Sequence, residues 1–316
     1  MEIIERKLHK KEVKNDAGKL GLGLLLYFII EFIVVIIFDV VASLTFLKDA
    51  TEAQIQSFSD NSATGLIIGV LYGLLFLFLF FNERKTRHQI FLKNKKMTIG
   101  WFAVLTCIFL GCQIFCQPVF TLIDKFFNLF GISALSSIEA ATAGSTTVSM
   151  FIYSGFVAPI VEELIYRGIV LRHLSKYGKT FAIVASSVLF GVMHGNIPQA
   201  IFAIIVGLVL GYVATEYSII WSIVLHILNN LVLGDLLYYA LQNTNETVSN
   251  IIFYSIIGIC FTVGLVAMII KRKKIFAYIK ENKWNMPYMR WTFFTVSLIL
   301  FVLINLGLGI IVLEAI

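Results

Sequence analysis

Apolar runs of about 20 residues recur along this chain, and a run of that length is what an α-helix needs to cross a hydrocarbon layer of about 30 Å. About nine are present, near 20–47, 64–81, 98–121, 148–171, 180–196, 198–214, 218–238, 249–270 and 290–313. The composition points the same way. It is 59% hydrophobic and 14% charged, with a mean hydropathy of +0.88, where a soluble domain carries about 25% charged residues. Lipid offers no water to an unpaired backbone group, so such spans must be helices or a closed barrel. Runs this long and uniformly apolar predict an all-α fold: a polytopic integral membrane helical bundle of about 8–9 transmembrane helices.

The opening segment, MEIIERKLHKKEVKNDAGK, is too charged for a targeting peptide. The run after it is too long for a signal core and lacks a small-residue cleavage site, so it is expected to be a retained first span. Cys107, Cys112, Cys116 and Cys260 all fall within apolar runs and form no disulfide framework or CxxC pair. With no repeat or low-complexity linker, residues 1–316 are expected to form a single membrane domain, with 1–19 as a basic cytoplasmic N-terminal tail.

Basic residues set orientation, because cytoplasmic loops hold the excess of Lys and Arg. Six lie in the tail: Arg6, Lys7, Lys10, Lys11, Lys14 and Lys19. Six more follow the second span: Arg84, Lys85, Arg87, Lys93, Lys95 and Lys96. Arg172, Lys176 and Lys179 follow the fourth span, and KRKKIFAYIKENKWNMPYMR holds seven. The alternate loops carry Lys48, Lys125, or none. A cytoplasmic N-terminus puts every basic loop on one face of a cell membrane. The net charge of +6 then reads as topology plus attraction to anionic lipid, not as nucleic-acid binding. The lipid bilayer is the expected partner.

Polar residues inside the spans carry the chemistry. Glu31 and Asp39 in the first span and Asn305 in the last read most simply as contacts between helices. Three other spans differ. The fourth holds Glu162, Glu163 and Arg167; the fifth holds Phe190 and His194 in FGVMH; the seventh holds His226 and Asn230 in HILNN. Residues four apart share a helix face, so Glu163 is expected to pair with Arg167, and His226 to share its face with Asn230. Glu162 is offset by about 100° and is left free to take a proton from water. Asn230 is an uncharged donor suited to an oxyanion. Pro159 removes one helical hydrogen bond beside them. Counted from the basic ends at 1.5 Å per residue, Glu162 lies about 15 Å deep, His226 about 12 Å and His194 about 22 Å. Phe190 reads as packing, and His173 as an exposed residue in a basic loop.

These three motifs, EExxxR, FxxxH and HxxxN, each on its own span and in this order, resemble the CPBP family of CAAX proteases and bacteriocin-processing (Abi-type) enzymes. The resemblance covers about residues 150–232. It implies an intramembrane endopeptidase with its catalytic helix core at 148–238. Glu162 would activate the hydrolytic water and His194 would bind or orient it. His226 and Asn230 would stabilise the oxyanion, with Glu163, Arg167 and Phe190 in support. Two accounts of the family's chemistry stay open. Glu162, His194 and His226 would be the ligands of a divalent metal such as zinc, or glutamate would activate water without one. The helical zinc signature HExxH is absent, since none of the five histidines begins one.

The substrate implied is a membrane-associated peptide or protein. The Phe-rich, Lys-rich, Pro-poor style of the chain suggests a bacterial plasma membrane, and thus peptide maturation or bacteriocin self-immunity rather than prenyl-CAAX processing. Two readings compete: a non-catalytic scaffold or regulator on the protease fold, and an ion- or proton-coupled transporter in which Glu31, Asp39 and the glutamate and histidine set form a relay. The lack of an internal repeat counts against the second.

Overall fold

The computed structural model describes residues 2–82, 89–135, 139, 145–282, 286–311 and 313–315. Arg84, Lys85, Arg87 and Lys283, counted above for topology, lie outside the described residues.

Every apolar run becomes helix. The elements are α1 (Glu2–Leu44), α2 (Glu52–Asn61), α3 (Thr64–Phe80) and α4 (Ile99–Asn128). Then come α5 (Val148–Tyr177), α6 (Lys179–Val192), α7 (Ile197–Glu216) and α8 (Ile219–Leu241). The last are α9 (Glu246–Glu281), α10 (Met286–Phe293) and α11 (Val296–Ile311). Six of these, α1, α4, α5, α7, α8 and α9, are long and apolar enough to cross a membrane, and the number reaches eight if the bent pairs α2–α3 (50°) and α10–α11 (74°) each count as one span. The fifth apolar run forms only the 14-residue α6, about 21 Å long and short of the hydrocarbon thickness by itself. A two-residue antiparallel pairing, Ile132–Ser133 with Glu314–Ala315, is the one strand contact among the described residues. The protein is a polytopic helical membrane protein.

The basic tail is not separate from the first span. Helix α1 runs unbroken through both, and Val13 and Ala17 within the tail are buried. Asp16 accepts from the Tyr177 hydroxyl at 2.6 Å and pairs with Lys176 at 2.6 Å, fixing the start of α1 to the end of α5. His173, expected to be hydrated, is instead 8% exposed, 3.6 Å from Asp16 and edge-on to Phe81. The reason is that α5 continues past the apolar run, so the residues read as a loop lie on a helix inside the bundle. Arg172 is likewise buried and donates to the Ala214 carbonyl at 2.8 Å.

Helices α5, α6 and α7 occupy the centre. From Ile165 to Arg172 every residue of α5 is buried. Helix α9 buries only Ile257 and Gly264. It leans on α4 where added Cβ atoms at Gly111 and Gly264 would stand 2.7 Å and 3.0 Å from the α-carbons of Phe261 and Ile108. Small residues of this kind let helix backbones approach where lipid supplies no hydrophobic drive. The exposed Leu, Ile, Val and Phe side chains of α1, α9 and α11 form the surface such a protein offers to acyl chains.

Of the other intramembrane polar residues, Asp39 accepts from Ser59 of α2 at 3.2 Å. Asn305 donates to the Phe301 carbonyl one turn back in its own helix, at 2.8 Å, rather than to another helix.

Candidate active site

Helix α5 is not a regular α-helix where its charges lie. It widens into π-turns at Tyr153–Val157 and Leu164–Val170, on either side of the six-residue stretch Ala158–Glu163. Pro159 stands just after the first widening, where its missing N–H withdraws a bond from the preceding turn. Helix α8 has a third π-turn at Asn230–Leu236, which packs on the first one of α5. Such widenings gather at functional sites, and here they flank both the glutamates and Asn230.

Glu163 and Arg167 are fully buried and lie 3.0 Å apart, Oε1 to Nη1. The guanidinium sits over the Phe190 ring, 4.1 Å from its centroid, and donates through Nη2 to the Gly207 carbonyl at 3.3 Å. A Cβ at position 207 would come within 3.2 Å of Nη2 and 3.3 Å of the Phe190 ring, so glycine there lets the guanidinium sit close against α7 without displacing its neighbours. Glu163 also accepts from Ser222 Oγ of α8 and lies 3.2 Å from His226 Nδ1. A buried carboxylate needs such partners, since a lone charge in a low-dielectric interior costs several kcal/mol.

Glu162 faces elsewhere. Its side chain is 19% exposed against 0% for Glu163, and its Oε2 lies 3.8 Å from His226 Nε2. His226 therefore stands between the two glutamates. With Nδ1–H donating to Glu163, Nε2 is the nitrogen turned toward Glu162. His194 reaches the same region from the end of α6. Its Nδ1 lies 2.8 Å from the Phe190 carbonyl, an acceptor only, so Nδ1 carries the proton and Nε2 is left free. The Phe190 ring lies edge-on to both imidazoles, 5.0 Å from His194 and 5.8 Å from His226. Phe190 is thus the packed hub of the site, touching Arg167 and both histidines. Asn230 donates through Nδ2 to the Ser154 carbonyl at 2.9 Å, which leaves its second amide hydrogen unspent.

The donor types suit a divalent metal, but the geometry does not gather them. Among the described residues, no three His, Cys, Asp or Glu side chains are placed to hold one ion, and the set Glu162, His194 and His226 is not drawn together as ligands.

Sequence reasoning passed over Ser222, although it stands four residues before His226 and hence on the same face. It also passed over Gly207 and the α1 contribution. Glu31 and Tyr27 lie within electrostatic reach of Glu162 on α5. They pass α3 at Gly69 and Gly73, where added Cβ atoms would stand 3.3 Å from Glu31 Cγ and 2.7 Å from the Tyr27 ring.

Residues 144–232, the segment that contains all seven of these motif side chains, match the family model described as Type II CAAX prenyl endopeptidase Rce1-like. No curated protein and no solved structure matches the chain. The matched segment runs from just before α5 to the third π-turn, so the match and the clustered side chains coincide on the same four helices. Over this core the chain is similar to the CAAX proteases, in line with the CPBP resemblance of its motifs.

Proposed function

We propose that this protein cleaves a peptide bond of a membrane-associated peptide or protein with a water molecule activated by Glu162. The observation that carries this reading is the inequality of the two glutamates: Glu163 is sealed and fully partnered, while Glu162 is accessible and faces His226 Nε2. Glu162 takes a proton from water as the oxygen attacks the substrate carbonyl carbon. The free Nε2 of His194 orients that water. The oxyanion that forms is held by the unspent N–H of Asn230, beside the His226 imidazole that Glu163 fixes through Nδ1. Glu162 then returns its proton to the leaving nitrogen, the C–N bond breaks as the oxyanion re-forms the carbonyl, and a carboxylic acid and an amine are released, the acid giving up its proton to the amine or to water. Preorganised donors of this kind contribute about 10²–10³ in rate each, and a positioned general base about 10²–10⁴.

The charge pattern supports a cytoplasmic N-terminus, and the Phe-rich, Lys-rich, Pro-poor composition supports a bacterial plasma membrane. The substrate class we favour is a secreted or signalling peptide in maturation, or a bacteriocin against which the cell protects itself, rather than a prenylated CAAX protein. Comparative peptidomics of wild-type and Glu162→Ala cells tests the whole reading: peptides released in the first and missing in the second name the substrate. If Glu162→Ala and His226→Ala both complement a null strain fully, the peptidase reading is lost and a scaffold role replaces it. Treating purified wild-type protein with a chelator then separates metal-assisted from metal-free chemistry.

A further inference from the structure

Helix α4 lies outside the matched segment 144–232, yet it tightens into a 3₁₀ turn at Cys112–Phe115 where Gln113 meets α8. There Gln113 Nε2 donates to Asn229 Oδ1 at 3.1 Å. Asn229 Nδ2 donates to Asn230 Oδ1 at 3.0 Å, and Asn230 Nδ2 donates to the Ser154 carbonyl at 2.9 Å. Three side-chain amides thus form one chain of hydrogen bonds running from α4 through α8 to the first π-turn of α5.

A primary amide can be turned over to exchange its oxygen and nitrogen, so the direction of such a chain has to be read from its ends. One end here is a backbone carbonyl, which only accepts. Asn230 must therefore turn its NH₂ toward Ser154 and its oxygen toward Asn229. That oxygen needs a donor, so Asn229 presents its NH₂ and turns its own oxygen to Gln113, which must donate in turn. The far end agrees, because Gln113 Oε1 accepts from the Cys116 thiol at 3.1 Å. Every amide in the chain has one satisfied orientation.

We infer that Gln113 is a positioning residue for the reaction. Through Asn229 it fixes the amide of Asn230, so that the unspent Nδ2–H is held toward the reacting carbonyl oxygen. The inference rests on the reading of Asn230 as an oxyanion donor. It extends the working site to a helix that the family motifs do not touch.

The test uses full-length protein in lipid nanodiscs. The probe is an internally quenched peptide copied from the sequence whose release the Glu162→Ala comparison shows to be lost. Gln113→Met, which keeps the shape and removes the donor, lowers kcat about fivefold, the size of one neutral hydrogen bond, with KM within about twofold. Asn229→Leu lowers kcat by at least as much, and Asn229→Ala stands in if that variant does not fold. The double variant is no slower than the Asn229 variant alone, because the chain is already broken at Asn229. If the two losses multiply, or if Gln113→Met changes KM and not kcat, Gln113 does not act through Asn229. Asn230→Ala separates the two levels, with an expected loss of about 10²–10³ in kcat. If that loss appears while Gln113→Met and Asn229→Leu stay within twofold of wild type, the positioning role alone is overturned. If Asn230→Ala leaves kcat unchanged, or no Glu162-dependent peptide exists, the reading of the site fails and this inference with it.

Discussion

Helices α5 and α9 are each long and apolar enough to cross a bilayer, at 30 and 36 residues, but they are built for opposite surroundings. In its most apolar window α9 is 11% buried inside the protein and α5 33%. Helix α9 is a regular helix whose apolar middle carries no charged residue, and it reaches the bundle through close approach to α4 and through Tyr278, which donates to Glu216 of α7 at 3.0 Å. Helix α5 departs from regular geometry twice and carries two carboxylates and two buried guanidiniums, Arg167 and Arg172. Hydropathy alone does not distinguish a helix that faces acyl chains from one that faces other helices, because lipid tails are as apolar as leucine. The distinction comes from the polar residues. A helix in lipid has no partners for them, whereas α5 finds partners on α7, α8 and, through Phe190, α6.

The contrast can be broken most severely at Glu162. Glu162→Gln keeps the shape and is expected to lower cleavage by about 10²–10⁴-fold, with an unchanged melting midpoint in detergent; a large loss of stability would make Glu162 a structural residue like its neighbour. Arg167→Ala comes next and acts on folding. Removing one partner of a buried pair is expected to cost about 3–5 kcal/mol, read as a lowered midpoint in a steric-trapping or denaturant assay. Helix α9 supplies the counter-case. Ile259 is 66% exposed, and Ile259→Ala is expected to stay within about 0.5 kcal/mol, since the side chain meets lipid before and after folding. A larger cost there would mean that another protein covers α9.

The smallest effect lies outside the spans. Lys95 hydrogen-bonds the buried end of α7 at Glu216, and that bond raises its pKa above the ordinary 10.5. A raised lysine contributes fully below its unfolded value and loses the contribution as pH climbs through the folded one. The stability difference between wild type and Lys95→Met should therefore be flat from pH 6 to 9 and shrink only above about 10.5. It should be small throughout, since the Lys95 side chain is 62% exposed and water screens such pairs.

Much of the site could be read in the sequence because its members obey helical spacing. Glu163 and Arg167 stand four apart and make the ion pair that this spacing predicts. His226 and Asn230 also stand four apart on one helix. The contacts that were not readable cross between helices far apart in sequence. Gln113 touches Asn229 from 116 residues away, and Ser222 reaches Glu163 from 59. A lone glutamine in an apolar run and a serine in another give no sign of which partner they will meet. His173 and Arg172 were misread for a related reason: the charge of a residue says that it needs a partner, not whether water or Asp16 and Ala214 will supply it.

By itself the sequence determined that this chain is a bundle of membrane helices, where the runs lie, and which side chains are too polar to face lipid. Those properties depend on local length and on transfer free energy, which each segment carries alone. Only the tertiary structure decided that Glu163 is sealed and Glu162 accessible, that α6 is short, and that α1 and α4 bring Glu31 and Gln113 toward the same site. Those depend on which helices pack together, and packing among apolar surfaces is chosen by shape and by the few polar groups that must be satisfied.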